Sequence, residues 1–153
     1  MLSCWRIVQE RFSKEAFTGE GARLYGGRWN SVGHAAVYAG GSRALAVLEM
    51  LVHLDGPQLL SSYLLYEAEF AESLMTELPA GGLPQDWRDD SAPGSTQAIG
   101  DAWIRSGASA VLRVPSVLIP QEHNYLLNPR HAEFGKIRIS APERFAFDSR
   151  LKG

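Results

Sequence analysis

The chain has 153 residues, 45% of them hydrophobic and 21% charged, with a formal net charge of −2. These values describe a globular chain with a real core, in which no global basic field points to nucleic acid. The single cysteine, Cys4, excludes an internal disulfide and fits a reducing compartment. A chain of this length buries roughly 70% of its unfolded surface as one domain. No basic segment followed by an apolar stretch opens the sequence, so no signal peptide is expected. The longest apolar run is far short of a membrane span. A cytoplasmic protein without membrane attachment is the expectation.

In chain order, Trp5-Arg6-Ile7-Val8 reads as a first strand. Residues 17–33 are rich in glycine and read as an ordered loop, anchored by Phe17, Tyr25 and Trp29. Residues 35–39 form a short strand ended by Gly40-Gly41. Ser42 is placed to cap a helix over 43–54, which Gly56-Pro57 stops. Residues 63–70 alternate, with Leu64, Tyr66, Ala68 and Phe70 on one face and Glu67 and Glu69 on the other, which is strand periodicity. A further short strand is expected over 74–78. Residues 79–93 are irregular, with Trp87 as a plug. Residues 95–106 read as a second helix, capped by Ser95 and stopped by Gly107. Residues 110–114 form a strand before Pro115, and 125–129 run into a turn. Residues 134–140 and 144–147 are the last strands. There is no repeat, low-complexity segment or internal boundary, so 1–153 reads as a single domain. Many short strands with two main helices, in mixed order, argue for an α+β fold.

The chemistry concentrates in Gly26-Gly27-Arg28-Trp29-Asn30-Ser31-Val32-Gly33, then Tyr38, then Glu49. Two glycines let the backbone approach a ligand closely, and the arginine offers a planar fork of donors for phosphate or carboxylate. The spacing fits neither a Walker loop nor a dinucleotide fingerprint, and no helix opens directly after it. Arg28 fits a structural pairing with an acidic loop residue as well as a ligand contact. In the helix, Ala44, Leu45, Val47, Leu48, Met50, Leu51, Val52 and Leu54 cover most of the circumference, and Glu49 and His53 break it on one narrow stripe. That stripe either faces water, with Glu49 and His53 paired, or forms the wall of a cleft. A carboxylate in so apolar a helix is costly without a task. Tyr38 reads as a packed strand aromatic or as a stacking surface for a flat ring. Ser116, between Pro115 and Val117, carries almost no signal alone. His34, His53, His123 and His131 lack metal-ligand spacing and a cysteine partner, so no metal site is expected. A Ser–His–Asp triad stays open on residue types, although no glycine-flanked elbow surrounds any serine.

Taken together, these residues resemble the RES-domain family, the toxin half of RES–Xre toxin–antitoxin pairs. The family is named for an Arg, a Glu and a Ser. Their counterparts here are Arg28 in Gly-Gly-Arg-Trp-Asn, Glu49 in Leu-Ala-x-x-Glu-Met-Leu, and Ser116 in Val-Pro-Ser-Val-Leu-Ile-Pro. Trp5-Arg6, Gly21-Ala22, Val37-Tyr38 and Asn124-Tyr125-Leu126-Leu127-Asn128-Pro129-x-His131 extend the likeness over nearly the whole chain. The resemblance implies an ADP-ribosyltransferase-like fold, with two small mixed or antiparallel sheets and flanking helices around a cleft for NAD⁺. It implies catalytic roles for Arg28, Glu49 and Ser116. It implies a binding site in which Arg28 and Arg6 meet phosphate, Tyr38 stacks on nicotinamide, and Ser116 bonds ribose or orients Glu49. NAD⁺ is then a substrate that the toxin consumes, or from which it transfers ADP-ribose to a protein; a catalytically idle partner-binding module is the third reading. The partners implied are an antitoxin with an Xre-type helix-turn-helix domain and a second copy of the chain in a homodimer.

Overall fold

The alternating and apolar segments become eight strands and three helices in the computed structural model, which describes residues 1–152. They are β1 (Leu2–Gln9), α1 (Glu20–Tyr25), β2 (Val37–Gly40), α2 (Arg43–Leu51), β3 (Tyr63–Phe70), β4 (Met75–Glu77), α3 (Gly94–Ser106), β5 (Val111–Pro115), β6 (His123–Leu127), β7 (Arg138–Ile139) and β8 (Glu143–Phe145), with short 3-10 turns between. The fold is mixed α+β. The strands run β4-β5-β6-β2-β1-β3-β7, and β8 also pairs with β3. Only β4 and β5 are parallel, joined through α3; the other pairs are antiparallel.

The expected two small sheets are instead one hydrogen-bonded sheet with a narrow seam. β1 pairs with β3 along its whole length, from Leu2↔Phe70 to Gln9↔Tyr63. It pairs with β2 only at Trp5↔Gly40. The sheet curls at this seam, so one interior receives side chains from both halves: Cys4, Ala68 and Phe70 from one, and Val37, Val111, Tyr125 and Leu127 from the other. The Phe70 and Tyr125 rings meet edge to face across it, with centroids 5.7 Å apart. Burial there pushes the Cys4 thiol up to about 12, so it is held as an inert thiol. On the outer face, Ile7, Tyr63 and Leu65 pack under α2 through Ala46 and Leu51. Trp29, Trp103, Leu112, Val114 and Leu126 form the core between α3 and the other half.

Several local expectations shift. Ser42 caps α2, its Oγ accepting from the Leu45 amide at 3.0 Å, but the helix ends at Leu51 rather than 54. The glycine-rich segment contains a helical turn, α1, entered through Gly19 and left through Gly26, both at positive φ. Such backbone favours residues without a Cβ. Helix α3 has Pro93 at its N-cap, and Ser95 Oγ donates to Asp86 instead of capping. Gly107 ends α3 in the left-handed region, as its sequence position implies. Residues 123–127 are a full strand rather than the approach to a turn, and 134–136 form a 3-10 turn before the two-residue β7. Among the described residues, no helix is long and apolar enough to cross a membrane.

Candidate active site

A cleft of about 960 Å³ opens over the seam, between α2 and the glycine-rich loop. Its size lies within the roughly 300–1,000 Å³ of small-molecule sites. Arg6, Arg28, Tyr38, Glu49 and His53 all line it, and so does Asp90.

The α2 wall carries Glu49. Its Oε1 accepts from Ser116 Oγ at 2.7 Å. The same Oγ accepts from the amides of Leu118 and Ile119, each at 3.1 Å. Ser116 follows β5 directly and is fully buried. The sheet thus fixes the serine, and the serine fixes the carboxylate. In this arrangement the one hydrogen of the Ser116 hydroxyl is directed at Glu49 and its oxygen accepts two amides. The Glu49–His53 stripe faces the cleft, and the two side chains form no ion pair with each other. Leu48 and Val52 are exposed, and Val52 also lines the cleft.

The other wall is the glycine-rich loop. The Gly27 amide donates to the Asn30 carbonyl at 2.9 Å, closing a tight turn with Arg28 and Trp29 at its tip. Asn30 is fully buried, and its Nδ2 donates to the carbonyls of Ala22, Ser31 and His34. Tyr38 braces the turn: its hydroxyl donates to Asn30 Oδ1 at 2.6 Å and accepts from the Trp29 amide at 2.9 Å. Burial, above all, pushes that phenol well above its ordinary range, so it stays protonated. Gly27 is required here, since a Cβ would lie 2.7 Å from the Tyr38 hydroxyl. Tyr38 is therefore both a cleft wall and a strut, with its polar end already occupied.

Helix α3 supports this loop from behind. Thr96 Oγ1 donates to the Arg28 carbonyl at 2.6 Å, and Gln97 Nε2 to the Gly27 carbonyl at 3.1 Å. Asp101 accepts from the Ser31 amide and hydroxyl. Gly100 lets the loop lie directly on the helix, where a Cβ would fall 1.6 Å from the Trp29 carbonyl oxygen. None of these residues was singled out from the sequence. Their signal is small and polar residues at helical spacing, 96, 100 and 101, on a face that is buried.

The two arginines occupy unexpected surroundings. Arg28 forms no ion pair with an acidic side chain. Its guanidinium lies among main-chain carbonyls of the irregular segment after β4: Asp89 at 2.6 Å, Trp87 at 3.3 Å, Asp90 at 3.4 Å and Ser91 at 3.5 Å. The expected phosphate fork is thus engaged with a loop at the cleft's edge. Arg6 sits where β1 and β2 part. Its Nε donates to the Ala16 carbonyl at 2.6 Å and its Nη1 to the Tyr38 carbonyl at 2.9 Å. It supplies donors that the strand ladder lacks there, and the residue also lines the cleft. Burial lowers Arg6 to about 10, and it remains charged at neutral pH. Among the described residues, no group of three or more His, Cys, Asp or Glu could hold a metal ion.

A carboxylate fixed by a buried serine, and an arginine on a glycine turn, meet in one cleft although they lie far apart in sequence. The RES domain profile matches residues 3–148. The chain belongs to the RES domain family. A Yersinia enterocolitica protein named Toxin Res is 46% identical over 149 residues, covering 97% of this chain and 98% of that one. A Sphingobium protein named Prs ADP-ribosylating toxin is 38% identical over 154 residues, covering 97% of this chain and 96% of its own. Among solved structures, the Mycobacterium tuberculosis MbcT–MbcA toxin–antitoxin complex contains a chain that superposes with a TM-score of 0.77. That match covers 99% of this chain and 86% of the other at 19% identity, a likeness of fold.

Proposed function

We propose that this RES domain is the toxin of a toxin–antitoxin pair and cleaves the bond between nicotinamide and ribose in NAD⁺. The observation that carries the reading is the Glu49 carboxylate, held by buried Ser116 on the wall of a cleft that Arg28 also lines. Nicotinamide leaves C1′ as a neutral base from a cationic precursor, so strong acid catalysis is not required. The positive charge that develops on the ribose resembles that of glycoside cleavage. A carboxylate fixed in advance stabilises it without reorganising. Arg28 binds the pyrophosphate, which takes the place of the carbonyls now around its guanidinium. Tyr38 presents its ring to nicotinamide. The electron pair of the broken C–N bond goes to nicotinamide, and an acceptor adds at C1′.

Two sets of exposed apolar residues support a protein partner at this cleft. Leu24, Tyr25 and Val32 lie on the glycine-loop side, and Leu48 and Val52 on α2. The partner is an antitoxin with an Xre-type helix-turn-helix domain, and the toxin pairs with a second copy of itself in the complex. The reaction takes place in the cytoplasm, on the cell's NAD⁺ pool.

Purified protein mixed with NAD⁺ releases free nicotinamide on this reading. Expression alone arrests growth as cellular NAD⁺ falls, and co-expression of the antitoxin encoded beside it restores both. The Sphingobium relative's name favours a second reading, transfer of ADP-ribose to a protein. Labelled ADP-ribose on a protein band, with growth arrested at steady NAD⁺, selects that reading over NAD⁺ depletion.

A further inference from the structure

At the seam, three residues from three strands stand in one row. Trp5 of β1 pairs with Gly40 of β2, and Gly40 pairs with Asn124 of β6. Residues opposite one another in adjacent strands project to the same face. A Cβ on Gly40 would lie 2.8 Å from the Ala46 amide, so that face lies beneath α2. Ala46 sits one turn before Glu49 and Met50. Tyr38, two residues before Gly40, is on the same face. All of these residues line the cleft. With no side chain of its own, Gly40 lets α2 lie directly on the sheet between Trp5 and Asn124.

Trp5 and Asn124 also share a deficit. Trp5 Nε1 and Asn124 Oδ1 are buried and have no hydrogen-bond partner. The third such atom among the described residues, Arg113 Nε, has the Glu77 carboxylate 3.8 Å away. A buried polar atom without a partner is costly, so it calls for an explanation. Here one orphan is a donor and the other an acceptor, and both residues face the same cleft. Arg43 lies over the Trp5 ring, 5.1 Å from its centroid, and holds the indole in place.

We infer that Trp5 and Asn124 read the carboxamide of the leaving nicotinamide. Trp5 Nε1–H donates to the amide oxygen, and Asn124 Oδ1 accepts from the amide nitrogen. The inference rests on the NAD⁺ reading above and adds a specificity to it. A primary amide carries an acceptor and a donor on one planar group, which matches the two orphans. A carboxylate carries only acceptors, and would set a negative oxygen against Asn124 Oδ1. The site therefore selects nicotinamide dinucleotide against its nicotinic acid counterpart.

The test compares release of free base from NAD⁺ and from nicotinic acid adenine dinucleotide. Wild-type protein is expected to favour NAD⁺ in kcat/KM by about 100-fold or more, as sites with buried polar partners do. Asn124→Leu keeps side-chain size and removes the acceptor. It is expected to lower kcat/KM on NAD⁺ by about 10-fold or more and to shrink the preference to less than about 10-fold. Equal use of both dinucleotides by wild-type protein, or an unchanged preference in Asn124→Leu, overturns the inference.

A second readout needs no turnover. The Trp5 indole N–H resonance, assigned from its loss in Trp5→Phe, shifts on adding nicotinamide and not on adding nicotinate. The indole signals of Trp29, Trp87 and Trp103 report that each variant is folded. A nicotinamide-specific shift without NAD⁺ cleavage retains the amide site and rejects the proposed reaction. Absence of the shift rejects the amide site, whatever the turnover.

Discussion

On the α2 wall of the cleft, Glu49 rests on groups that are complete without a ligand. The helix is capped by Ser42, and the carboxylate is bonded to a serine whose oxygen accepts two further amides. On the glycine-loop wall, the turn is equally well braced, by Tyr38, Asn30 and Thr96, but the reach of Arg28 is not. Its guanidinium lies among four carbonyls of an irregular segment, at distances from 2.6 to 3.5 Å. One wall presents a charge at a fixed point, and the other presents a donor fork that a phosphate can draw away from neutral oxygens. On the proposed NAD⁺ reading, the first wall would meet a transition-state charge without rearrangement and the second would capture the flexible dinucleotide.

Substitutions on the two walls test that contrast, and the largest effect belongs to Glu49. Glu49→Gln keeps shape and removes charge, so NAD⁺ turnover is expected to fall by about 10²–10³ while the folding transition stays in place. A folded variant with parental turnover removes Glu49 from the mechanism.

Arg28→Lys keeps the charge and loses the planar fork. Loss of one charge-assisted hydrogen bond, about 1.5–3 kcal/mol, corresponds to a fall of roughly 10- to 100-fold in kcat/KM. Amide exchange in residues 87–91 is expected to quicken in the same variant. Parental kinetics would show that geometry at this position does not matter.

Ser116→Ala leaves Glu49 and the Leu118 and Ile119 amides short of a partner. The expected cost is about 1–3 kcal/mol of stability, read as a lower denaturation midpoint, together with reduced turnover at unchanged KM. A rise in KM alone would instead indicate a direct substrate contact by Ser116.

Ser42→Ala is the mildest test. It removes the α2 cap and is expected to cost about 1 kcal/mol of stability, with turnover nearly intact once the protein is folded. A loss of activity as large as that from Glu49→Gln would mean that the α2 wall is far less rigid than its contacts imply.

Much of this was legible in the residues themselves. Alternation marked residues 63–70 as a strand, and Ser42 with Gly56-Pro57 bracketed α2 to within three residues. Gly26-Gly27-Arg28 and Glu49 marked the two walls, because glycines before an arginine and a carboxylate in an apolar helix are local anomalies. Local patterns end where the neighbour that matters is distant. The single residue pair joining β1 to β2 turns two expected sheets into one, and no periodicity within either strand encodes that contact. The short β6 carried no alternation beyond its neighbours, since its second half, Tyr125 to Leu127, is buried on both faces.

The sequence by itself determined the helix cap and breakers, the strand faces, the glycine turn and the residue types that place this chain in the RES family, since each depends on backbone preference or spacing along the chain. The tertiary structure decided what those side chains touch. Ser116 became the support for Glu49 across 67 residues. Arg6 became a staple between parted strands, and Arg28 a guest among loop carbonyls. Trp5 and Asn124, from opposite ends of the chain, were left with complementary unpaired atoms in one cleft. Hydrogen-bond partners and burial are properties of the assembled seam, where curvature of the sheet brings distant residues within about 3 Å of each other.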